Sequence, residues 1–375
     1  MPRLALVGPS WPYRGGISRT TTKLAEALDR RGSLAAFLTA ARQYPRFLYP
    51  GTRDIDPGAC RRLAIAEPSF GVFQPLSWRR LAKRLRTVGA DAVALPYWTA
   101  AWAPMEAWLA RAEVPPLVAI VHNPCDHDAG WLARSGANFV LARCSGFLCH
   151  ASSVASGLRE KFPQIPVQVH PLAMEPTGGA NREEARRRLG LSEGNVAFLS
   201  FGLIRPYKGV DVLVDAITRL PADSPAVLLL AGEPWGPLDG ETRRRIERLA
   251  AAGKAIVRLE WVPEEDVPTW LAAADVMVLP YRAATGSAVA AQALGHGLPL
   301  VASAVGGLAE IVEDGRNGLL VPPSDASALA AALSRLLDPE LRARLAAGAR
   351  AVAAAWSWDS YAACLETLVE RALER

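Results

Sequence analysis

The stretch YRAATGSAVAAQALGHGLPLVASAVGGLAEIVEDGRNGLLVPP, Tyr281 to Pro323, decides how the rest of the chain reads. It follows the apolar run Val276–Leu279, which has the pattern of a buried strand. A small hydroxyl-bearing turn, Thr285–Ser287, comes next, then an Ala-rich helix over Ala288–Leu294. Gly295 and Gly297 close that helix where a left-handed cap is easiest for glycine. Leu298–Ala302 reads as a second strand, broken by Gly306–Gly307. Strand, tight turn, helix and strand in this order place main-chain N–H groups at a helix N-terminus. Orphan donors and the helix dipole favour phosphate there.

Upstream, the same alternation recurs. Val196–Phe201, Ala226–Ala231 and Ile256–Leu259 read as strands, with helices over Val210–Leu220, Glu241–Ala252 and Glu264–Ala273. The loop Gly202–Gly209 carries Arg205 and Lys208 just past a strand end and just before a helix. A guanidinium offers paired donors and an ammonium a compact point charge, a combination suited to a diphosphate. The clearest linker is Pro163, Pro166, Pro171 and Pro176, followed by Thr177–Gly179.

Before that linker lies a first α/β half. Arg3–Val7, Leu34–Thr39, Ala92–Leu95, Leu117–Val121 and Phe147–Cys149 read as strands. Helices are expected over Ser18–Arg30, Trp78–Val88, Pro104–Ala112 and Val154–Phe162. Such alternation implies a doubly wound parallel sheet whose ligands sit past the carboxyl ends of the strands. The residues singled out there are Gly15 and Gly16, Tyr97 and Trp98, and His122 with Asn123. Gly15-Gly16 does not match G-x-G-x-x-G, so the dinucleotide fingerprint is absent and a plain turn is the competing reading. HNPCDHD, His122–Asp128, sets His122 and His127 five apart in a Pro-containing loop, a poor metal site. It reads either as a polar loop or as a functional His122.

Composition bounds the classes. A length of 375 residues, half of them hydrophobic, suits two domains. No opening signal peptide and no membrane-spanning run is visible. The five cysteines, Cys60, Cys125, Cys144, Cys149 and Cys364, contain no C-x-x-C. A cytoplasmic, reduced protein is expected. Met1–Leu172 carries 21 Lys+Arg against 11 Asp+Glu, or +10, and the remainder carries −5. The basic half is expected to meet something anionic, a phosphorylated acceptor or a membrane surface. WRRLAKRLR, Trp78–Arg86, supplies a basic amphipathic helix with Trp78, Leu81, Ala82 and Leu85 on its apolar face, fit for peripheral contact with the inner membrane surface or for packing on the core.

GGLAEIVEDGRNGLLVPPSD, preceded by LGHGLPLVAS and RPYKGVDVL, resembles the group 1 (family 4) glycosyltransferases. GPSWPYRGGISRTTTKLAEAL and WSWDSYA extend the resemblance over nearly the whole chain. It implies the GT-B fold, two Rossmann-like α/β domains facing across a cleft. The expected division is an acceptor-side domain over 1–172, a donor domain over 173–357, and a last helix, 358–375, returning to the first. It implies retaining transfer from a nucleoside-diphosphate sugar, with no metal, no other cofactor and no nucleic acid partner.

The catalytic residues implied are His122, Arg205 and Lys208. Those two cations, Gly15, Gly16, Val262, Thr285, Gly286, Ser287, Ala288, Val289 and Gln292 would hold the donor. Tyr97, Trp98, Asn123 and His127 would face the acceptor. The family's Glu-x7-Glu is replaced by Ala284 and Gln292, and its arginine after the strand glycine by Leu203. The missing glutamates leave a non-catalytic nucleotide-sugar binder or partner subunit as the alternative.

Overall fold

Val196 and Phe198 enter one hydrophobic cluster while Ala197 and Leu199 enter another. That alternation belongs to a strand covered by helices on both faces. The computed structural model describes residues 1–43, 55, 64–99, 101–123, 136, 138–174 and 180–374. The chain divides into two units, Met1–Pro171 with Trp358–Arg375, and Leu172–Ser357.

In the first unit the strands are β1 (Leu4–Gly8), β2 (Leu34–Arg42), β3 (Ala66–Gly71), β4 (Ala92–Tyr97), β5 (Leu117–Val121), β6 (Gly146–Cys149) and β7 (Val167–Val169). They form one parallel sheet in the order β3-β2-β1-β4-β5-β6-β7. The second unit has β8 (Val196–Phe201), β9 (Ala226–Ala231), β10 (Ala255–Arg258), β11 (Val276–Leu279), β12 (Leu300–Ser303) and β13 (Gly318–Val321), in the order β10-β9-β8-β11-β12-β13. Both are doubly wound, Rossmann-like sheets. Strand order reverses between β1 and β4 and again between β8 and β11. These are the switch points where loops part and leave room for a ligand.

Three strands lie where the sequence shows no long apolar run. β7 occupies part of the proline-rich stretch expected to be a linker: Phe147 N–H donates to Pro166 O, so the proline supplies a carbonyl where its missing N–H does no harm. β3 is an edge strand with Glu67, Pro68 and Ser69 at its centre, and β13 is only Gly318–Val321. The helices Arg182–Arg188, Ala326–Arg335 and Pro339–Ala355 are further additions, as is Gly306–Ile311, which begins at the glycine pair read as a strand break. The left-handed position closing the helix Ala288–Gly295 is Gly297, at φ 72°.

The last helix, Trp358–Leu373, packs on the helix Gly16–Arg30 and on β6 and β7. Glu366 takes both oxygens to Arg31, at 3.0 and 2.6 Å, and accepts from Ser33 at 2.6 Å. Gly146 permits the approach, since a β-carbon there would stand 3.2 Å from Leu368.

Candidate functional site

In the second unit, β8 ends at Phe201 and the chain turns at Gly202, whose φ of 89° is one glycine adopts freely. Arg205 precedes a single 3-10 turn, Pro206–Lys208, and Gly209 then takes a left-handed conformation before the helix Val210–Thr218. A side chain at Gly209 would collide with Pro280 O, so the loop after β8 lies directly against the loop after β11.

Each cation of this loop rests on an aromatic face. The Arg205 guanidinium lies 4.2 Å above the Trp235 ring and the Lys208 ammonium 5.5 Å from the Tyr281 ring centroid. Neither has a carboxylate at ion-pair distance among the described residues. Burial, and then the Arg205 charge, pull Lys208 down from its ordinary value to about 8. An anion bound beside it would offset both causes.

The loop after β11 brings the second set of candidates to the same place. Ser287 caps the helix Ala288–Gly295, accepting from Ala290 N–H at 3.1 Å, and its side chain also hydrogen-bonds Tyr281. As the first two residues of that helix, Ala288 and Val289 direct N–H groups outward without intrahelical partners. A β-carbon on Gly202 would stand 3.5 Å from Lys208 Nζ and 3.4 Å from Val289 Cγ2. Lys208, Gly202 and Val289 therefore meet at the β8/β11 switch point. Ala284 is held by its carbonyl, which accepts from Gly307 N–H at 3.1 Å, and its side chain packs on the core. Thr285, Gly286 and Gln292 are half-buried around that turn. The Val262 side chain belongs to the core, which leaves its main chain as the part able to meet a ligand.

At the sheet edge of the first unit, Gly15 (φ 116°) and Gly16 are exposed at the start of the helix Gly16–Arg30. Tyr97 ends β4, and its carbonyl accepts from His122 N–H at 2.9 Å and Asn123 N–H at 3.3 Å. The Trp98 ring lies 4.6 Å from that of Trp102. His127 falls outside the described residues.

His122 has neighbours that its sequence context does not single out. His150 and His170 stand one residue past β6 and β7, as His122 stands one past β5. His122 and His150 have ring centroids 4.6 Å apart, and Tyr361 packs against His150 and His170 at 5.8 and 5.2 Å. His150 Nδ1 donates to His170 O at 3.2 Å. Burial lowers all three imidazoles, His122 well below its ordinary value and His150 to about 4. Burial thus favours the uncharged form of all three rings. The Nε2 of His122 and of His150 are buried with no hydrogen-bond partner among the described residues. A signal for two of the three histidines exists in the sequence: His122 and His150 each follow an apolar run directly, whereas His170 follows the short strand Val167–Val169. Trp235 and Tyr281 lie in the loops past β9 and β11 without following an apolar run directly.

The basic helix Pro75–Thr87 settles differently from one reading of it. Trp78, Leu81, Ala82 and Leu85 are in the core, and Trp78 Nε1 donates to Gly71 O at 3.0 Å, so that apolar face is not free for lipid. Among the described residues no helix is long and apolar enough to cross a membrane, and no cluster of three or more His, Cys, Asp or Glu suits a metal ion.

Comparison with known proteins agrees with this fold. A family model described as glycosyl transferases group 1 matches residues 195–339, and one described as glycosyltransferase family 4 matches residues 14–176. The D-inositol 3-phosphate glycosyltransferase of Xylanimonas cellulosilytica is 28% identical over 100% of this chain and 98% of its own. Among solved structures, the sucrose-phosphate synthase of Thermosynechococcus elongatus superposes with a TM-score of 0.75 at 20% identity, covering 98% of each chain. Anabaena HepE in complex with UDP-glucose superposes at 0.73 and 19% identity, over 98% of this chain and 99% of that one.

Proposed function

Because the chain belongs to the group 1 glycosyltransferases, as the two family models matched along it show, we propose that it moves a glycosyl group from a nucleoside-diphosphate sugar to an acceptor hydroxyl, with retention at the anomeric carbon. The observation that carries this reading is the pair Arg205 and Lys208, poised on aromatic faces at a switch point without carboxylate partners among the described residues. Anabaena HepE, solved in complex with UDP-glucose, supports a donor of this class.

In the proposed reaction the bond from the anomeric carbon to the diphosphate oxygen breaks and the acceptor oxygen bonds on the same face. A phosphate oxygen takes the acceptor's proton. Arg205, Lys208 and the N–H groups of Ala288 and Val289 neutralise the departing diphosphate, work that fixed charges do best when no reorganisation is needed. The two cations stand where a metal would otherwise serve, so turnover is proposed to survive a chelator. The first unit is assigned the acceptor, with neutral His122 as hydrogen-bonding group. An anionic acceptor accords with the +10 of Met1–Leu172 and with the inositol 3-phosphate after which the Xylanimonas relative is named.

The test is incubation with UDP-, GDP- and ADP-sugars and inositol 3-phosphate, with the product's anomeric configuration read by NMR. A product of inverted configuration would end the retaining mechanism. Donor binding with no transfer to any acceptor would favour a non-catalytic binder.

A second reading concerns where the protein meets its acceptor, proposed to be the cytoplasmic face of a membrane. Leu76 is 79% exposed and Phe73 41%, beside the exposed Arg79, Lys83 and Arg86. Leu76, Arg79, Lys83 and Arg86 fall at helical spacing on one face, the side opposite the buried Trp78 and Leu81. Peripheral contact of this stripe with anionic lipid is proposed. Co-sedimentation that is equal for anionic and zwitterionic vesicles would sink it.

A further inference from the structure

We propose that Arg282 is the positioning residue that locks the Lys208 turn to the Ala284–Ser287 turn, and so sets the spacing of the groups that grip the diphosphate. The proposal rests on the reading of Lys208 given above.

The two turns come from different parts of the chain, and Arg282 joins them with main chain and side chain together. Its N–H donates to Tyr207 O at 2.6 Å. Its Nη1 donates to Pro206 O at 2.7 Å and to Asp211 Oδ1 at 3.0 Å, and its Nη2 to Asp211 Oδ2 at 2.5 Å. One residue thus holds two carbonyls of the 3-10 turn that carries Lys208 and the carboxylate in the first turn of the helix Val210–Thr218. The fork of a guanidinium suits this task, since a lysine ammonium lacks the planar pair of donors. Asp211 is itself well placed, an anion at a helix N-terminus.

Arg282 stands between the two aromatic and polar parts of the site. Tyr281, one residue before it, lies under the Lys208 ammonium and hydrogen-bonds the Ser287 side chain. Ala284, two residues after it, is fixed through Gly307 N–H. Gly306 can lie there only without a side chain, because a β-carbon would collide with Ala284 O. The segment Pro280–Ser287 is therefore pinned at its downstream end by the Gly306 turn and at its upstream end by Arg282. Release of the upstream end frees the Pro206–Lys208 turn to drift from Ala288 and Val289 while each group keeps its own charge. The Asp211 pair is half-exposed, so its worth to folding alone is small.

The test compares UDP, GDP and ADP with their parent nucleosides, by calorimetry, on the wild type and on Arg282→Ala, Arg282→Lys, Asp211→Asn and Lys208→Ala. The wild type is expected to prefer the diphosphate. In Arg282→Ala that preference falls about tenfold or more, the order of loss that misplacing a binding group causes, while nucleoside affinity holds. Arg282→Lys fails to restore it, and Asp211→Asn falls between. A lowered melting temperature with the preference intact would show a merely structural residue and overturn the proposal. If Arg282→Ala keeps the preference while Lys208→Ala loses it, the positioning role is wrong and the diphosphate site stands. If neither variant changes it, the site itself is wrong and the proposal falls with it.

Discussion

Past β8 stand two cations, Arg205 and Lys208, with no carboxylate at ion-pair distance among the described residues, whereas past β5, β6 and β7 stand three imidazoles whose uncharged form burial favours. Both sets lie past the carboxyl ends of parallel strands, the cations at the switch point of their sheet and the histidines towards one end of theirs, and both have aromatic rings beside them. The difference lies in what the rings do. Trp235 and Tyr281 offer their faces to Arg205 and Lys208, so positive charge is retained beside a low-dielectric surface. Tyr361 instead packs against the buried His150 and the half-buried His170. On the proposed reading, the first edge receives the departing diphosphate and the second hydrogen-bonds sugar or acceptor hydroxyls.

The sharpest way to break this contrast is to remove charge from the cationic edge. Arg205→Ala and Lys208→Ala are each expected to lower kcat by about a hundredfold or more, the cost of losing one preorganised charge-stabilising group. Intact turnover in both would end the contrast. On the neutral edge, His122→Ala is expected to cost about tenfold in kcat, the worth of one hydrogen bond at a reacting hydroxyl, with UDP affinity unchanged. If His122→Ala instead abolishes UDP binding, the two edges do not divide the work this way. Smallest is Trp235→Ala. Loss of a partly exposed cation–π contact is expected to weaken UDP binding about threefold, and an unchanged Kd would mean that Trp235 does not steady Arg205.

Much of this is legible in the sequence because it follows from periodicity and strand ends. The runs Leu117–Val121, Val196–Phe201, Ala226–Ala231 and Val276–Leu279 are strands over those same residues. The last helix, expected over 358–375, runs over Trp358–Leu373. Polar or short strands are not legible in this way: β3 has Glu67, Pro68 and Ser69 at its centre, and β7 follows Pro166. Their identity comes from pairing with a neighbour that is distant in the chain. The same limit applies at the site. Arg205 and Lys208 stand out by charge and position, but Trp235 beneath Arg205 and Arg282 beside Asp211 arise from loops 30 and 71 residues away. The basic helix shows a different limit: its pattern marks the apolar face Trp78, Leu81, Ala82 and Leu85 but does not say whether that face meets lipid or the core, and it packs on the core.

The pH dependence of donor binding tests the central claim most directly. Lys208 is lowered to about 8 in the fold against an ordinary value of 10.5. Its ammonium therefore weakens the unliganded fold at every pH below about 8, and that penalty lifts as pH rises from 8 towards 10.5. Diphosphate affinity must run the other way, because the ammonium that binds it is lost over that range. Calorimetry with UDP, GDP and ADP at about pH 7 and about pH 9.5 is expected to show affinity at least tenfold weaker at the higher pH for whichever nucleotide binds. Lys208→Met should bind it weakly and alike at both. A wild-type affinity that does not move with pH, matched by Lys208→Met, would contradict the claim that this ammonium grips the diphosphate.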